Sequence, residues 1–207
     1  MVRLHRVTGN VIVLNGTSSA GKTTLAKSIQ ALAPEPYHLI AFDQFRDGLA
    51  DRYRGINSPV DTPGAAGLNV VAAPHEGAMR AYIKLGSQGI AMVRGMHQAI
   101  VSFAQTGQHV VVDHFINHRD TAHDLCETLA DLHPTLVRVT CDPSELLRRE
   151  RLRPGRFPGT AETQRDIMSS CLDYDLTVDS TSHSAHELAH QVLSFLMQRK
   201  PTIESNE

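Results

Sequence analysis

No apolar run in the chain approaches the ~20 residues a helix needs to cross a bilayer, which excludes proteins anchored by membrane-spanning helices. The opening residues, Met1 to Asn10, lack the apolar centre of a secretory leader, so a cytoplasmic location is expected. Charge of neither sign dominates: 20 Lys and Arg against 22 Asp and Glu leave a net charge of −2. That balance gives no electrostatic footprint for nucleic acid or an anionic surface, and neither partner is expected. Cysteine is scarce as well. Cys126, Cys141 and Cys171 are odd in number and far apart, which fits neither a disulfide framework nor a zinc knuckle and suits reduced thiols. Histidine is abundant, and His183, His186 and His190 fall at helical spacing. With no cysteine or carboxylate paired to them in sequence, they are assigned no metal. Internal repeats, low-complexity segments and domain linkers are missing too, and 207 residues suit a single α/β domain, residues 1–207.

What is present is concentrated near the N-terminus. Residues 11–15, Val-Ile-Val-Leu-Asn, read as a short buried strand. They run directly into Gly16-Thr17-Ser18-Ser19-Ala20-Gly21-Lys22-Thr23-Thr24, after which Leu25, Ile29 and Leu32 mark one face of a helix. Strand, G-x-x-x-x-G-K-T, helix is the complete context of a phosphate-binding loop. Gly16 and Gly21 allow backbone angles that aim successive N–H groups inward at phosphate. Lys22 brings a point charge for the β- and γ-phosphates, the Thr23 hydroxyl is a Mg²⁺ ligand, and the helix adds its positive end. A nucleoside triphosphate, ATP with Mg²⁺, is the expected cofactor.

The rest of the chain follows an alternating pattern. Pro34 and Pro36 stop the first helix, and residues 37–42 read as a second strand closing on Asp43. Ligands of doubly wound sheets gather at the carboxyl ends of strands, which makes Asp43 a catalytic candidate at the γ-phosphate, on a strand expected beside the first. Its local alternative is a helix N-cap. Residues 51–77 show no periodicity, with strand-like pieces at 68–72 and 78–85 that suggest a hairpin over the site. A helix with a Met- and Phe-bearing core face spans roughly 90–104. Residues 109–112 are a third strand, and their apolar run ends on Asp113, the pattern of an acid in the Mg²⁺ shell. Further elements are expected at 118–132 (helix), 135–140 (strand), 174–179 (strand) and 184–197 (helix).

Between 148 and 156, six of nine residues are charged and five are arginine. Arg148 and Arg151 suit a solvated surface. Arg149 and Arg153 share a helix face at i, i+4, and Arg156 follows Pro154-Gly155 on a loop. Such arginines can clamp a transferring phosphoryl group and offset its charge, as the lid of a small kinase does at about 149–160.

Taken in order, Ile12-Val-Leu-Asn-Gly-Thr-Ser-Ser-Ala-Gly-Lys22, Leu32-Ala-Pro-Glu-Pro36, Phe42-Asp43 and Val112-Asp113 resemble the chloramphenicol phosphotransferase family of bacterial P-loop kinases. Cys141-Asp142, Arg149-Glu150, Arg153, Arg156 and Tyr174-Asp-Leu-Thr-Val-Asp-Ser-Thr181 extend the likeness over nearly the whole chain. The resemblance implies a three-layer P-loop kinase fold with about five parallel strands and an arginine-bearing lid. It also implies that Asp43 is the general base toward a primary hydroxyl and that Arg149, Arg153 and Arg156 are the lid arginines. Residues 46–89, where the acceptor pocket is built, depart from the family pattern. The expected activity is therefore ATP-dependent transfer to a hydroxyl of a small molecule, an antibiotic such as chloramphenicol among the candidates. A kinase of a nucleoside, sugar nucleotide or RNA end is the alternative, and a nucleotide-gated regulatory module without acceptor chemistry is another.

Overall fold

The computed structural model describes residues 8–75, 78–116, 118–152 and 172–199. Five strands form a parallel sheet in the order β2-β6-β1-β7-β8. They are β1 (Val11–Asn15), β2 (Tyr37–Ala41), β6 (His109–Asp113), β7 (Thr135–Thr140) and β8 (Leu176–Asp179). Every residue of β1 is buried, because helices cover both faces of the sheet, so the strand is apolar throughout instead of alternating.

The period of two along each strand decides which side chains meet which layer. Val11, Val13, Val110 and Val112 enter the core formed with α4 (Ser87–Gln105) and α5 (Arg119–Thr128), where Met96, Ile100 and Leu125 lie fully buried. Ile12, Leu14 and Val111 point the other way, to Leu25 and Ile29 of α1 (Lys22–Leu32) and to Leu188 and Val192 of the last described helix, α7 (Ala185–Arg199). Truncating one of these large central residues, such as Ile12, to alanine would cost about 2–5 kcal/mol. The helix α1 ends where Ala33 turns extended ahead of Pro34, the conformation proline imposes on its predecessor.

The stretch that looked structureless in sequence is a second layer of regular structure. It holds a short 3₁₀ turn at Asp51–Tyr53, β3 (Arg54–Ile56), the brief helix α3 (Pro63–Ala66), β4 (Leu68–His75) and β5 (Ala78–Leu85). β3 runs parallel to β4, and β4 pairs antiparallel with β5, the expected hairpin with its first strand longer than foreseen. Buried Asn69 pins the connecting loop by accepting from Ser58 N–H at 3.1 Å and donating to Ser58 O at 3.0 Å. Side-chain bonds of this kind carry no periodicity, which is why the sequence pattern missed the order there. Leu68, Val70 and Ile83 pack into the same core as Phe45 of α2 (Phe42–Gly48), so the small sheet sits against the helix that carries Asp43.

Two local expectations are corrected. β2 ends at Ala41, and Asp43 lies inside the first turn of α2; it is not the cap. Gln44 instead reaches back, its Oε1 accepting from Ala41 N–H at 2.8 Å. Nor is β2 beside β1, since β6 lies between them. The β1–α1–β2 crossover skips one position, which a strand arriving about seventy residues later fills, and no local signal in sequence records that. Smaller shifts occur in α4, which starts at Ser87, in α5, whose α-helical part stops at Thr128, and in the last strand, which starts at Leu176.

Candidate active site

The loop of residues 16–21 leaves the carboxyl end of β1 and enters α1. Its two glycines serve different ends. Gly21 has φ of 90°, the left-handed region that favours glycine. A Cβ on Gly16 would lie 2.3 Å from the Val139 carbonyl oxygen, so that residue must be glycine to let the loop pass β7. Ser19 also takes a left-handed angle, with φ of 63°. It is 6% exposed, and its hydroxyl finds no hydrogen-bond partner among the described residues. A buried hydroxyl left open in a glycine-bounded turn ahead of a helix suits a phosphate oxygen.

Lys22 is 9% exposed. Its ammonium donates to Gly16 O at 2.8 Å and Thr17 O at 3.0 Å, and lies 3.9 Å from Asp113 Oδ1. The other Asp113 oxygen accepts from the Thr23 hydroxyl at 2.5 Å. The parallel ladder brings these groups together. Leu14 and Ala41 both lie in register with Asp113, so the loop after β1 and the helix after β2 flank the end of β6. Hydroxyl and carboxylate oxygens converging beside a lysine are hard donors of the type Mg²⁺ takes when phosphate and water complete its shell.

Asp43 stands on the β2 side of this edge, its side chain about half exposed. Arg46, one turn along α2, donates to its Oδ1 at 2.7 Å and also pairs with Asp47. On the opposite side of the loop, Arg149 of α6 (Pro143–Arg151) donates from Nη1 to Ser180 Oγ at 3.1 Å and from Nη2 to Ser180 O at 2.7 Å. Its Nε is held by Glu145 at 2.8 Å. Hydrogen bonds from Arg148 and then Arg149 hold the Glu145 carboxyl down to about 2, so it remains a carboxylate anchor. Arg149, Ser180, Ser19, Gly21, Thr24 and His183 line a cleft of about 420 Å³ next to the loop. Arg153 and Arg156, the other expected lid arginines, lie outside the described residues.

Three site features escaped the sequence reading. Ser180, just past β8, donates its hydroxyl to Ala20 O at 2.8 Å and ties the last strand to the loop. The rule that ligands collect at strand carboxyl ends could have found it. Asn15, fully buried, donates to the Tyr174 hydroxyl at 2.7 Å and accepts from Ile116 N–H at 3.1 Å, joining segments that are distant in sequence. His114, fully buried beside Asp113, gave no signal among twelve histidines.

A parallel sheet of this order, with a glycine loop, a lysine and an acid at the central carboxyl edge, defines a P-loop kinase fold. A family model described as "Chloramphenicol phosphotransferase-like protein" matches residues 9–197, and the chain belongs to that family. Two curated proteins from strains of Mycobacterium tuberculosis, which carry the provisional name O-phosphotransferase, are each 29% identical to it over 194 residues. The match covers 89% of this chain and 80% of each relative. Among solved structures the fold is similar to Mycobacterium tuberculosis APS kinase in complex with AMPPNP and APS, with a TM-score of 0.61, 15% identity, and coverage of 92% of this chain and 98% of that one. It is similar also to Acinetobacter baumannii shikimate kinase in complex with shikimate, with a TM-score of 0.59, 15% identity and coverage of 94% and 97%. The Deinococcus radiodurans tunicamycin resistance protein matches with a TM-score of 0.58, 15% identity and coverage of 91% and 95%. At such identities the likeness to these structures is one of fold.

Proposed function

We propose that the protein is an ATP-dependent phosphotransferase that moves the γ-phosphate of ATP to a hydroxyl of a small molecule. The observation that supports this most is the meeting of Thr23, Lys22 and Asp113 at one strand end, with Asp43 on the neighbouring helix. A switch that only binds nucleotide needs the first three groups but has no use for a carboxylate on the acceptor side.

The amides and hydroxyls of residues 16–24 wrap the β- and γ-phosphates, with the open Ser19 hydroxyl among the donors. Lys22 then exchanges its loop carbonyls for phosphate oxygens. Thr23 and Asp113 would hold Mg²⁺, which when bound would offset charge on the phosphates. The cleft between Thr24 and His183 takes the rest of the nucleotide, and its volume suits a ligand of that size. Arg149, with Arg153 and Arg156, supplies planar donors for charge that develops on the transferring group. Asp43 orients the acceptor hydroxyl and takes its proton as the phosphoryl arrives, since the hydroxyl is too weak an acid to ionise in advance. The small sheet of β3, β4 and β5, which lies within the 46–89 acceptor region and packs beside α2, forms the acceptor wall. Hydroxylated antibiotics such as chloramphenicol are the first acceptors to test.

The test incubates the protein with Mg²⁺ and γ-labelled ATP and a panel of hydroxylated antibiotics, nucleosides and sugars, with Lys22→Ala as the blank. Label should appear in an acceptor above the hydrolysis background, and only with the unaltered protein. Nucleotide binding with no transfer to any acceptor class would favour the regulatory module instead.

A further inference from the structure

Beyond the phosphate loop, the strand that carries Asp113 has a second connection, running away from the site. Successive residues of a strand point to opposite faces, so Asp113 turns toward α1 and His114 toward α4. His114 still belongs to the ladder, donating its N–H to Leu14 O at 3.0 Å. Its ring is fully buried and lies 2.8 Å, Nε2 to Nε2, from His97 of α4, which is fully buried as well. His97 Nδ1 lies 2.5 Å from Asp124 Oδ2 on α5. Arg94, at the surface of α4, pairs with the other Asp124 oxygen at 3.2 Å.

The two ends of this chain fix the protons within it. Phe115 N–H can only donate, and it donates to His114 Nδ1 at 2.7 Å, so neutral His114 carries its proton on Nε2. The Asp124 carboxylate can only accept, so His97 carries its proton on Nδ1 and offers a lone pair on Nε2. The two Nε2 atoms are then complementary, donor to acceptor. Every polar atom of both buried rings is satisfied in this one arrangement, and an extra proton on either ring would set two donors face to face. Burial acts in the same sense and lowers the pKa of both imidazoles. A network satisfied in only one way resists rotation of its members.

We propose that His114, His97 and Asp124 are positioning residues for the metal-binding acid: they hold the end of β6 so that the Asp113 carboxylate stays on Thr23. The inference rests on the assignment of Asp113 and Thr23 to Mg²⁺. Partners one shell out from metal ligands matter for affinity because they set the orientation of the ligands. Here the partner acts from the far side of the strand, through the backbone of the residue beside the ligand.

The experiment measures binding of a fluorescent ATP analogue, with no acceptor present, across a Mg²⁺ titration and again in EDTA, for the unaltered protein and for Asp124→Ala, Asp124→Asn and Arg94→Ala. Asp124→Ala releases His97 and should raise the Mg²⁺ concentration for half-maximal enhancement of binding by up to ~10-fold, leaving metal-free binding unchanged. Asp124→Asn keeps an acceptor for His97 and should restore most of it, and Arg94→Ala should match the unaltered protein. An Asp124→Ala protein with a lower Tm but an unchanged Mg²⁺ requirement would make the chain a structural brace only and overturn the proposal. A second readout needs no variant. Ring ¹⁵N shifts of the unaltered protein should show His97 protonated on Nδ1 and His114 on Nε2, and the opposite tautomer at either ring would also overturn it. Unaltered protein that binds no nucleotide would instead defeat the functional reading itself.

Discussion

The Thr23 hydroxyl and the Asp113 carboxylate meet at 2.5 Å although ninety residues separate them. One stands in the first turn of α1 and the other at the end of β6, and the parallel pairing of β1 with β6 brings them together. Thr23→Val keeps the shape and the helix start but removes one of the two oxygens offered to Mg²⁺. Transfer should fall by at least ~10-fold, with affinity for metal-free nucleotide within a few-fold of the unaltered protein. Unchanged transfer would show that Thr23 only buttresses Asp113.

Asp43→Asn separates general base from metal ligand. Transfer should drop by ~10²–10⁴-fold while affinity for Mg²⁺–ATP stays within a few-fold. Because Asp43 lies in the first turn of α2 and does not cap it, the substitution loses a favourable charge–dipole interaction of about 0.3–1 kcal/mol. The partly exposed Arg46 pair adds no more than about 1 kcal/mol. A Tm shift of a few degrees is therefore expected, and calorimetry on the same sample separates it from the kinetic effect. Collapse of nucleotide affinity along with rate would reassign Asp43 to metal.

Arg149→Ala removes the guanidinium that bridges Glu145 and Ser180 at the mouth of the loop. If it offsets charge on the transferring phosphoryl, kcat should fall more than nucleotide affinity, by up to ~10³-fold. Arg153→Ala and Arg156→Ala should behave alike. A rise in KM for ATP with kcat intact would make Arg149 part of the cleft wall and nothing more.

Stability should decline as pH falls below about 6.5, the ordinary histidine value, because His97 and His114 have lowered pKa values in the folded protein. Between the folded and unfolded values the unfolded chain binds more protons, so acid favours it; above 6.5 both states are neutral at these rings and the effect vanishes. The Glu145 carboxyl, held low by its arginines, begins to lose its contribution only below about 4.5, the ordinary glutamate value. Urea unfolding at pH 8, 7, 6 and 5 should therefore show constant stability between 8 and 7 and a fall by pH 5. A flat profile down to pH 5 would mean that the two rings can take up a proton without breaking their network.

The phosphate loop was readable from residues alone because its chemistry is local: Gly16 to Thr23 must be contiguous to curl around one phosphate. The strands β1 and β6 were readable because burial on both faces writes an apolar run, and β7 because its buried residues alternate with partly exposed ones. By contrast, the order of the small sheet depends on Asn69 and Ser58 bonding across eleven positions, and no period marks such a contact.

The sequence by itself determined the loop, the alternation of strands and helices, and the carboxylates that close β6 and follow β2, since each follows from side-chain type within a short window. Only the tertiary structure decided that β6 separates β1 from β2 and that Asp43 sits within its helix turn. It alone set Ser180 against Ala20 and joined two of twelve histidines into a buried chain behind Asp113. The physical reason is range. Backbone geometry and hydrophobic period act over a few residues, whereas strand order and buried hydrogen bonds are fixed by packing between segments whose separation along the chain leaves no trace in either.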